Sequence, residues 1–267
     1  MKNYKIPITF KDLEDKDRLF EKNNSEKYKE EIDHFQKTSE LFISLFSNSK
    51  RIDHDPSKVD YAQLVAIRIF QDTRAAFLLA LKGLFPQSSS LLRGVLESTY
   101  LVYDFKINPS HEDLWFNGSK NQRNKLFKLS EIKSRVEASR DTAPIKGLYK
   151  LLSQFSVHIN MESHLWYIET RDKKLFYHWA GYDSGKKSDA LVHSCLNSLA
   201  EGLFIFTYEG FYAHDRDWLG DFTQWKKQHL VFVKKFAKVF DFEGYEELEV
   251  KEDREIIVTP DSSDLSR

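Results

Sequence analysis

Apolar residues occupy nearly every face of the segment from Pro56 to about Leu84. A helix patterned in this way must be covered by other elements, because apolar surface left in water is unfavourable. Gly83 and Pro86 are typical of a helix end. We therefore predict a central helix here. Its apolar residues are Leu64, Val65, Ile67, Ile69, Phe70, Phe77, Leu78, Leu79 and Leu81.

Few helix breakers interrupt the rest of the chain, which has ten glycines and six prolines in 267 residues. Apolar residues recur at spacings of three and four from Ser25 to Ser49, which predicts an amphipathic helix. Ser88, Ser89 and Ser90 predict the N-cap of a helix that ends before Pro109. Further helices are expected at about 121–138, from about 144 into the stretch 151–160, and over about 187–213 and 217–240.

One segment has a different pattern. LWYIET and LFYHWA, between Leu165 and Ala180, are rich in β-branched and aromatic residues and flank the polar RDKK. This pattern predicts a β-hairpin with a four-residue turn. The expected fold is thus an all-α, multi-helix up-and-down bundle with a small β-hairpin insertion. We expect a single helical domain over 1–240 and an acidic tail over 241–267, which contains ten acidic and three basic residues.

The overall composition excludes few classes of function. The formal net charge is -1, so any nucleic-acid surface must be local. The single cysteine, Cys195, cannot form an internal disulfide, which favours a reducing compartment and a role as a small buried residue. The beginning of the sequence lacks the apolar core of a secretory signal, and AAFLLAL is too short to cross a bilayer. We expect a cytoplasmic protein without membrane contact.

A polar stripe follows one face of the third predicted helix. Arg93, Glu97, Tyr100 and Asp104 recur at helical spacings among residues that are otherwise apolar. Buried charges are costly unless they are paired and hydrogen-bonded, so the stripe must find partners on other helices. Either it forms a network that only sets the helix register, or it lines a functional cleft.

Candidate partners come from two other segments. Arg68 and Asp72 lie four residues apart on the central helix, and the segment LYKLLSQFSVHIN supplies further polar groups. We predict that these side chains converge with the stripe. The groups in the second segment are Tyr149, Ser153, His158 and Asn160.

RGVLESTYLVYDF, followed about fifty residues later by LYKLLSQFSVH, resembles a family of bacterial proteins with a helical domain of unknown function. The shared pattern is an R-x-x-x-E helix and a later Y/L-x-x-x-S helix that ends in a Val-His pair. The resemblance runs from about Pro86 to Ala213. That family is similar to the HEPN superfamily of helical nucleotide-binding and ribonuclease domains. Here HIN follows the valine, where family members commonly have a proline soon after the Val-His pair. HEPN ribonucleases also carry an Arg, a polar residue and a later His, which Arg171, Asp172 and His178 match as an alternative motif.

The resemblance implies RNA binding or metal-independent endoribonuclease activity in a bacterial defence or toxin system. Cleavage of this kind needs a group that moves the 2′-hydroxyl proton and a cation that stabilises phosphate charge. His158 would be the acid or base, Arg93 would hold the phosphate, and Glu97 would hold Arg93. Ser153 completes the catalytic set. Asn160, Tyr149, Arg68 and Asp104 are the candidate substrate-binding residues, and no metal or cofactor is expected.

Local charge agrees with an RNA partner, although solvated lysines are also the ordinary outer face of an amphipathic helix. In the predicted fourth helix and the residue before it, six cations outnumber two acids, and five lysines on the last helix have no acid between them. The first set is Lys120, Arg123, Lys125, Lys128, Lys133 and Arg135; the second is Lys226, Lys227, Lys234, Lys235 and Lys238.

The motifs of other kinds of catalytic site are absent from the sequence or incomplete. No glycine-rich phosphate loop is present, and the one Glu-x-x-His pair, Glu31 and His34, lies on a highly charged segment, where we expect it at the surface. The competing interpretation is a noncatalytic helical module that forms a homodimer or binds a cognate protein. The aromatic segment FIFTYEGFY could then serve as core or as dimer surface.

Overall fold

Helices make up almost all of the part of the chain that the computed structural model describes: residues 9–48, 50–52, 59–139, 145–146, 148–149, 152, 168–171, 174–177, 186–208 and 211–240. The predicted all-α multi-helix bundle with a small strand insertion is confirmed. The division into a domain over 1–240 and a tail over 241–267 stays a prediction, and the tail lies outside the described residues.

The helices are α1 (Phe10–Lys27), α2 (Lys29–Asn48), α3 (Tyr61–Leu81), α4 (Phe85–Ile107), α5 (Ser110–Asn117), α6 (Lys120–Leu126), α7 (Leu129–Ser139), α8 (Lys186–Tyr208) and α9 (Arg216–Phe240). The strands are β1 (Lys50–Arg51), β2 (Ile168–Arg171), β3 (Lys174–Tyr177) and β4 (Tyr212–Ala213). The described residues between 145 and 152 are helical as well.

The centre of the bundle is the pair α3 and α4, joined by three residues. Gly83 in this connection has φ 73°, a left-handed conformation that glycine adopts without steric cost. Helix α8 packs across both members of the pair, and α2 and α9 pack against α8. On the other side, α7 packs on α4. The central position predicted for α3 follows from its apolar pattern, and α4 shares it.

Helix α4 begins earlier than its serines predicted. Its N-cap is Leu84, which makes no side-chain cap, and Pro86 lies in the first turn. The expected cap at Ser88, Ser89 or Ser90 is therefore wrong. Ser88 is fully buried and its hydroxyl donates to the Ala76 carbonyl oxygen at 2.8 Å. A small hydroxyl between two packed helices has bridged them instead of capping one.

Sequence patterns also missed two helices and merged two others. Helix α1 begins with a reciprocal cap between Thr9 and Asp12, but Asn24 is its only residue that is buried, so it carries little apolar periodicity. Helix α5 was not predicted, and the helix expected at 121–138 is divided into α6 and α7. The N-terminal cap of α6, Ser119 with Gln122, forms the same reciprocal pair.

The strands form two small antiparallel pairs. β2 pairs with β3 from Ile168↔Tyr177 to Arg171↔Lys174, so the predicted hairpin is present. The expected four-residue turn is wrong, because Arg171 and Lys174 belong to the paired strands and only two residues connect them. β1 pairs with β4 through Lys50↔Ala213 and Arg51↔Tyr212. The end of the helix expected at 187–213 is therefore a strand, because its backbone bonds to a segment that precedes α3.

Within the part of the chain that the structure describes, one helix satisfies the length and composition of a membrane span. Within α8 the stretch Ser188–Tyr208 has a mean hydropathy of 1.3 in its most apolar window, and 83% of that window is buried inside the protein. Core helices of soluble proteins have the same properties. The predicted absence of membrane contact stays a prediction.

Two buried histidines meet between α2 and α9. The Nε2 atom of His34 and the Nδ1 atom of His229 are 3.1 Å apart, and the His34 ring stacks on Phe232 with centroids 4.3 Å apart. His34 and Glu31 are both buried, so their expected surface position is wrong. Burial, together with the charge of Lys37, lowers the pKa of His34 to about 4. Burial and the neighbouring His34 and His193 lower the pKa of His229 to about 3.

Stability should fall in mild acid. The unfolded chain, with histidine pKa values near 6.5, binds protons that the folded chain excludes. Above about pH 6.5 both histidines are neutral in the folded and unfolded chain, and the free energy of unfolding does not depend on them. It decreases as the pH falls below that value, towards the folded-state pKa of about 4 for His34 and about 3 for His229. Urea unfolding from pH 7 to pH 4.5 should show the free energy of unfolding falling by up to about 1.4 kcal/mol per pH unit per histidine.

A matched variant tests the origin of this effect. His34→Gln/His229→Gln should show a shallower pH dependence, with some remaining because burial also lowers the pKa of His214 to about 4. An unchanged slope in the double variant would contradict the assignment to this pair.

Candidate functional site

Arg93 and Glu97 lie one turn apart on α4 and form an ion pair. The Arg93 Nε atom donates to Glu97 Oε1 at 3.0 Å, as the i, i+4 spacing favours. Their side chains are 17% and 38% exposed. The pair therefore lies at the edge of the core, where solvent or a ligand can reach it.

Tyr149 joins this pair from the segment that follows α7. Its hydroxyl donates to the same Glu97 oxygen at 3.2 Å, and the Arg93 guanidinium carbon lies 5.3 Å from the centroid of its ring. The structure thus brings together three of the predicted site residues, Arg93, Glu97 and Tyr149. A hydroxyl and a guanidinium that share one carboxylate hold each other in a defined orientation.

A second cation reaches the same tyrosine. The Lys133 ammonium lies 4.1 Å from the centroid of the Tyr149 ring and 5.6 Å from that of the Tyr100 ring. Tyr100 in turn donates to Glu137 at 3.5 Å. We call the group formed by Arg93, Glu97, Tyr149 and Lys133 the Arg93 cleft. Sequence reasoning counted Lys133 only as part of a basic segment, because no local spacing links it to Tyr149.

The Arg93 guanidinium has unused donor capacity. Its Nη1 atom is buried and has no hydrogen-bond partner among the residues that the structure describes. A buried donor without an acceptor is costly, and guanidinium groups bind the oxygens of carboxylates and phosphates. An anionic ligand bound to this group would supply the missing acceptor.

Asp104 has a different environment from the Arg93 cleft. It is fully buried, and it accepts from Arg135 Nε at 2.7 Å, from Arg135 Nη2 at 3.0 Å and from His111 Nδ1 at 2.8 Å. Arg135 also donates to the Leu126 carbonyl oxygen at 2.8 Å. These bonds tie α4 to α5, α6 and α7. They place Asp104 in a structural network, about 10 Å along the helix axis from Glu97.

Arg68 lies on the surface. Its side chain is 65% exposed, and its ion pair with Asp72 on the same helix has an Nε to Oδ2 distance of 3.4 Å. Among the described contacts none joins Arg68 or Asp72 to the Arg93 cleft, although we predicted that they converge. Sequence spacing identified the i, i+4 pair but not the side of α3 that faces solvent.

Of the remaining predicted site residues, only Arg171 is among those that the structure describes. Ser153, His158, Asn160, Asp172 and His178 lie outside the described residues. Arg171 is the last residue of β2, and its backbone pairs with Lys174. The roles proposed for these residues therefore stay predictions.

Cys195 has the environment of a core residue. It is fully buried in α8, and burial raises the pKa of its thiol far above the usual range, which opposes formation of the reactive thiolate. Among the described residues no group of three His, Cys, Asp or Glu side chains could hold a metal ion.

Sequence reasoning also missed a second, partly buried ionic network. Arg51 on β1 forms ion pairs with Asp60 and Glu112, and Tyr212 donates to Asp60 at 2.6 Å. Burial and the Asp60 carboxylate raise the pKa of Tyr212. In the first turn of α3, Glu112 also accepts from the backbone amide of Ala62, and Asp60 accepts from that of Gln63. The members are too far apart in sequence for spacing to reveal them.

Comparison of the chain with protein-family models, with curated proteins and with solved structures finds no match. The HEPN-like resemblance therefore stays a prediction.

The two acidic residues of α4 should respond differently to truncation. Removing the buried partner of an ion pair leaves an uncompensated charge, so Asp104→Ala should lower the free energy of unfolding by about 3 to 5 kcal/mol. Glu97→Ala removes a partly exposed pair and should cost about 1 kcal/mol or less. Urea unfolding of both variants at pH 7 measures the difference, and equal losses would contradict it.

Proposed function

We propose that the protein binds RNA at the Arg93 cleft and cleaves it without a metal ion. One observation carries the binding step: the guanidinium of Arg93 is partly buried, keeps an unpaired Nη1 donor and lies with Lys133 around the Tyr149 ring. Two cations beside one aromatic ring suit a phosphate next to a base or ribose. Glu97 orients the guanidinium through its bond to the Nε atom.

The catalytic step follows the assignment made from the sequence. The 2′-hydroxyl oxygen attacks the adjacent phosphorus as its proton passes to His158. The bond from phosphorus to the 5′ oxygen breaks, that oxygen takes up a proton from solvent water, and a 2′,3′-cyclic phosphate remains. Arg93 would stabilise the charge on the non-bridging oxygens, which is greatest in the transition state. Ser153 and Asn160 would position the substrate.

RNA affinity should depend on Arg93 far more than on a matched surface arginine. Arg93→Gln removes charge-assisted hydrogen bonds and should weaken binding about 10- to 100-fold. Arg68→Gln makes the same charge change at an exposed site and should change affinity less than about twofold. Fluorescence anisotropy with a labelled single-stranded RNA measures both, and equal effects would overturn the cleft assignment.

An RNA-cleavage assay distinguishes an enzyme from a protein that only binds RNA. Purified protein incubated with total RNA should produce ends with cyclic phosphates in the presence of EDTA, and His158→Ala should abolish the cutting without weakening binding. Cutting that survives His158→Ala would remove that residue from the mechanism. Binding without any cutting by the native chain would reject the catalytic step and leave the binding step intact.

A second candidate function, a noncatalytic dimerisation module, is favoured by the outer face of α3. Leu64, Ile67 and Leu78 are 46%, 49% and 43% exposed, and their spacing places them along one stripe of the helix. An isologous pairing of two copies would cover this stripe. A dimer in light scattering that Ile67→Lys converts to a monomer would support this function, and a monomeric native chain would reject it.

A further inference from the structure

A second site lies where α5, α6 and α7 meet. An open cavity of about 710 Å³ is lined by three aromatic rings, two cations and one amide. We call it the Trp115 groove. Its lining residues are Trp115, Phe116, Arg123, Asn124, Phe127 and Lys128. The function argued above does not use any of them.

The aromatic side of the groove is held rigidly. Trp115 is partly exposed and meets the buried Phe127 edge to face, with ring centroids 5.0 Å apart. Phe116 stacks on Tyr61 at 4.1 Å. Because their neighbours fix these rings, a flat ligand could stack on the exposed part of Trp115 with little loss of side-chain entropy.

The backbone around the groove is fixed as well. Arg123 Nη1 donates to the Gly118 carbonyl oxygen at 2.5 Å, and Arg135 holds the carbonyl of Leu126 at the end of α6. A Cβ atom at Gly118 would lie 2.3 Å from the Leu114 carbonyl oxygen, so only glycine permits this tight connection between α5 and α6. The groove is therefore a built feature of the fold.

Charge identifies the kind of ligand. Lys120, Arg123, Lys125 and Lys128 follow one another without an intervening acid, and Lys128 is exposed with no ion pair among the described residues. Cations that border exposed aromatic rings are the arrangement by which proteins hold single-stranded nucleic acid, with phosphates on the cations and bases on the rings. In a duplex the bases stack on one another and do not present a free face.

We propose that the Trp115 groove binds an unpaired base of single-stranded RNA. The base stacks on Trp115, the adjacent phosphates contact Arg123 and Lys128, and Asn124 is placed to bond the base edge. This inference rests on the proposed RNA binding and specifies its substrate class. Both sites border α7, since Lys128 directly precedes this helix and Lys133 lies within it.

The test uses the full chain and labelled 12-nucleotide RNA in fluorescence anisotropy. Trp115→Leu keeps an apolar side chain but removes the stacking surface, and should weaken binding about 5- to 100-fold. Trp115→Phe should recover most of the affinity. Lys128→Gln should reduce the slope of log affinity against log salt by about 0.7, the value for one single-strand phosphate contact. Lys29→Gln, an equal charge change at an exposed position of α2, should leave that slope nearly unchanged.

Two further ligands identify what occupies the groove. On an oligonucleotide of abasic sites, Trp115→Leu should have no effect, because no base is present to stack; a persisting effect would overturn the proposal. Polyglutamate that competes as well as RNA would also overturn it in favour of an acidic peptide. If Arg93→Gln weakens RNA binding and Trp115→Leu does not, the groove proposal fails and the Arg93 cleft stands. If the native chain binds no RNA, the proposed function fails, and this inference with it.

Discussion

Helix α4 is buried almost all round and still carries charged side chains, and this constraint organises the molecule. Each charge must either be fully paired in the interior or lie where solvent can reach it. Asp104 takes the first course, with Arg135 and His111 saturating its carboxylate. Arg93 and Glu97 take the second and remain partly exposed. The same polar stripe therefore supplies both an anchor for the neighbouring helices and a site with unused donors.

Helix α7 supplies cations both to the buried Asp104 and to the Arg93 cleft. Arg135 binds Asp104 and the end of α6, which locks α7 against α4, and from that position Lys133 reaches Tyr149 while Lys128 borders the Trp115 groove. A rigid base for cations allows them to meet an anionic ligand without first losing conformational freedom. Of the two interpretations made from the sequence, the register-setting network describes Asp104, whereas a functional role for the partly exposed Arg93 stays a prediction.

Periodicity predicted the long helices well because their apolar stripes report burial directly. It failed where tertiary contacts replaced local rules. Ser88 bonds across to α3 and does not cap α4. α1 packs with too small a buried face to show a pattern. The chain after α8 becomes a strand because β1, distant in sequence, lies beside it. For the site, helical spacing predicted the pairing of Arg93 with Glu97, but it could not show that Arg68 faces solvent or that Lys133 reaches Tyr149.

The sequence by itself determined the helical class, the central position of α3 and α4, the β2 and β3 hairpin and the i, i+4 ion pairs, since each depends on spacing within one element. Only the tertiary structure decided which charged side chains are buried and which are exposed. It also decided that Glu31 and His34 are buried and that three aromatic rings and two cations line one groove. These properties depend on which helix faces which, and that is set by the packing of the whole core, which no single segment encodes.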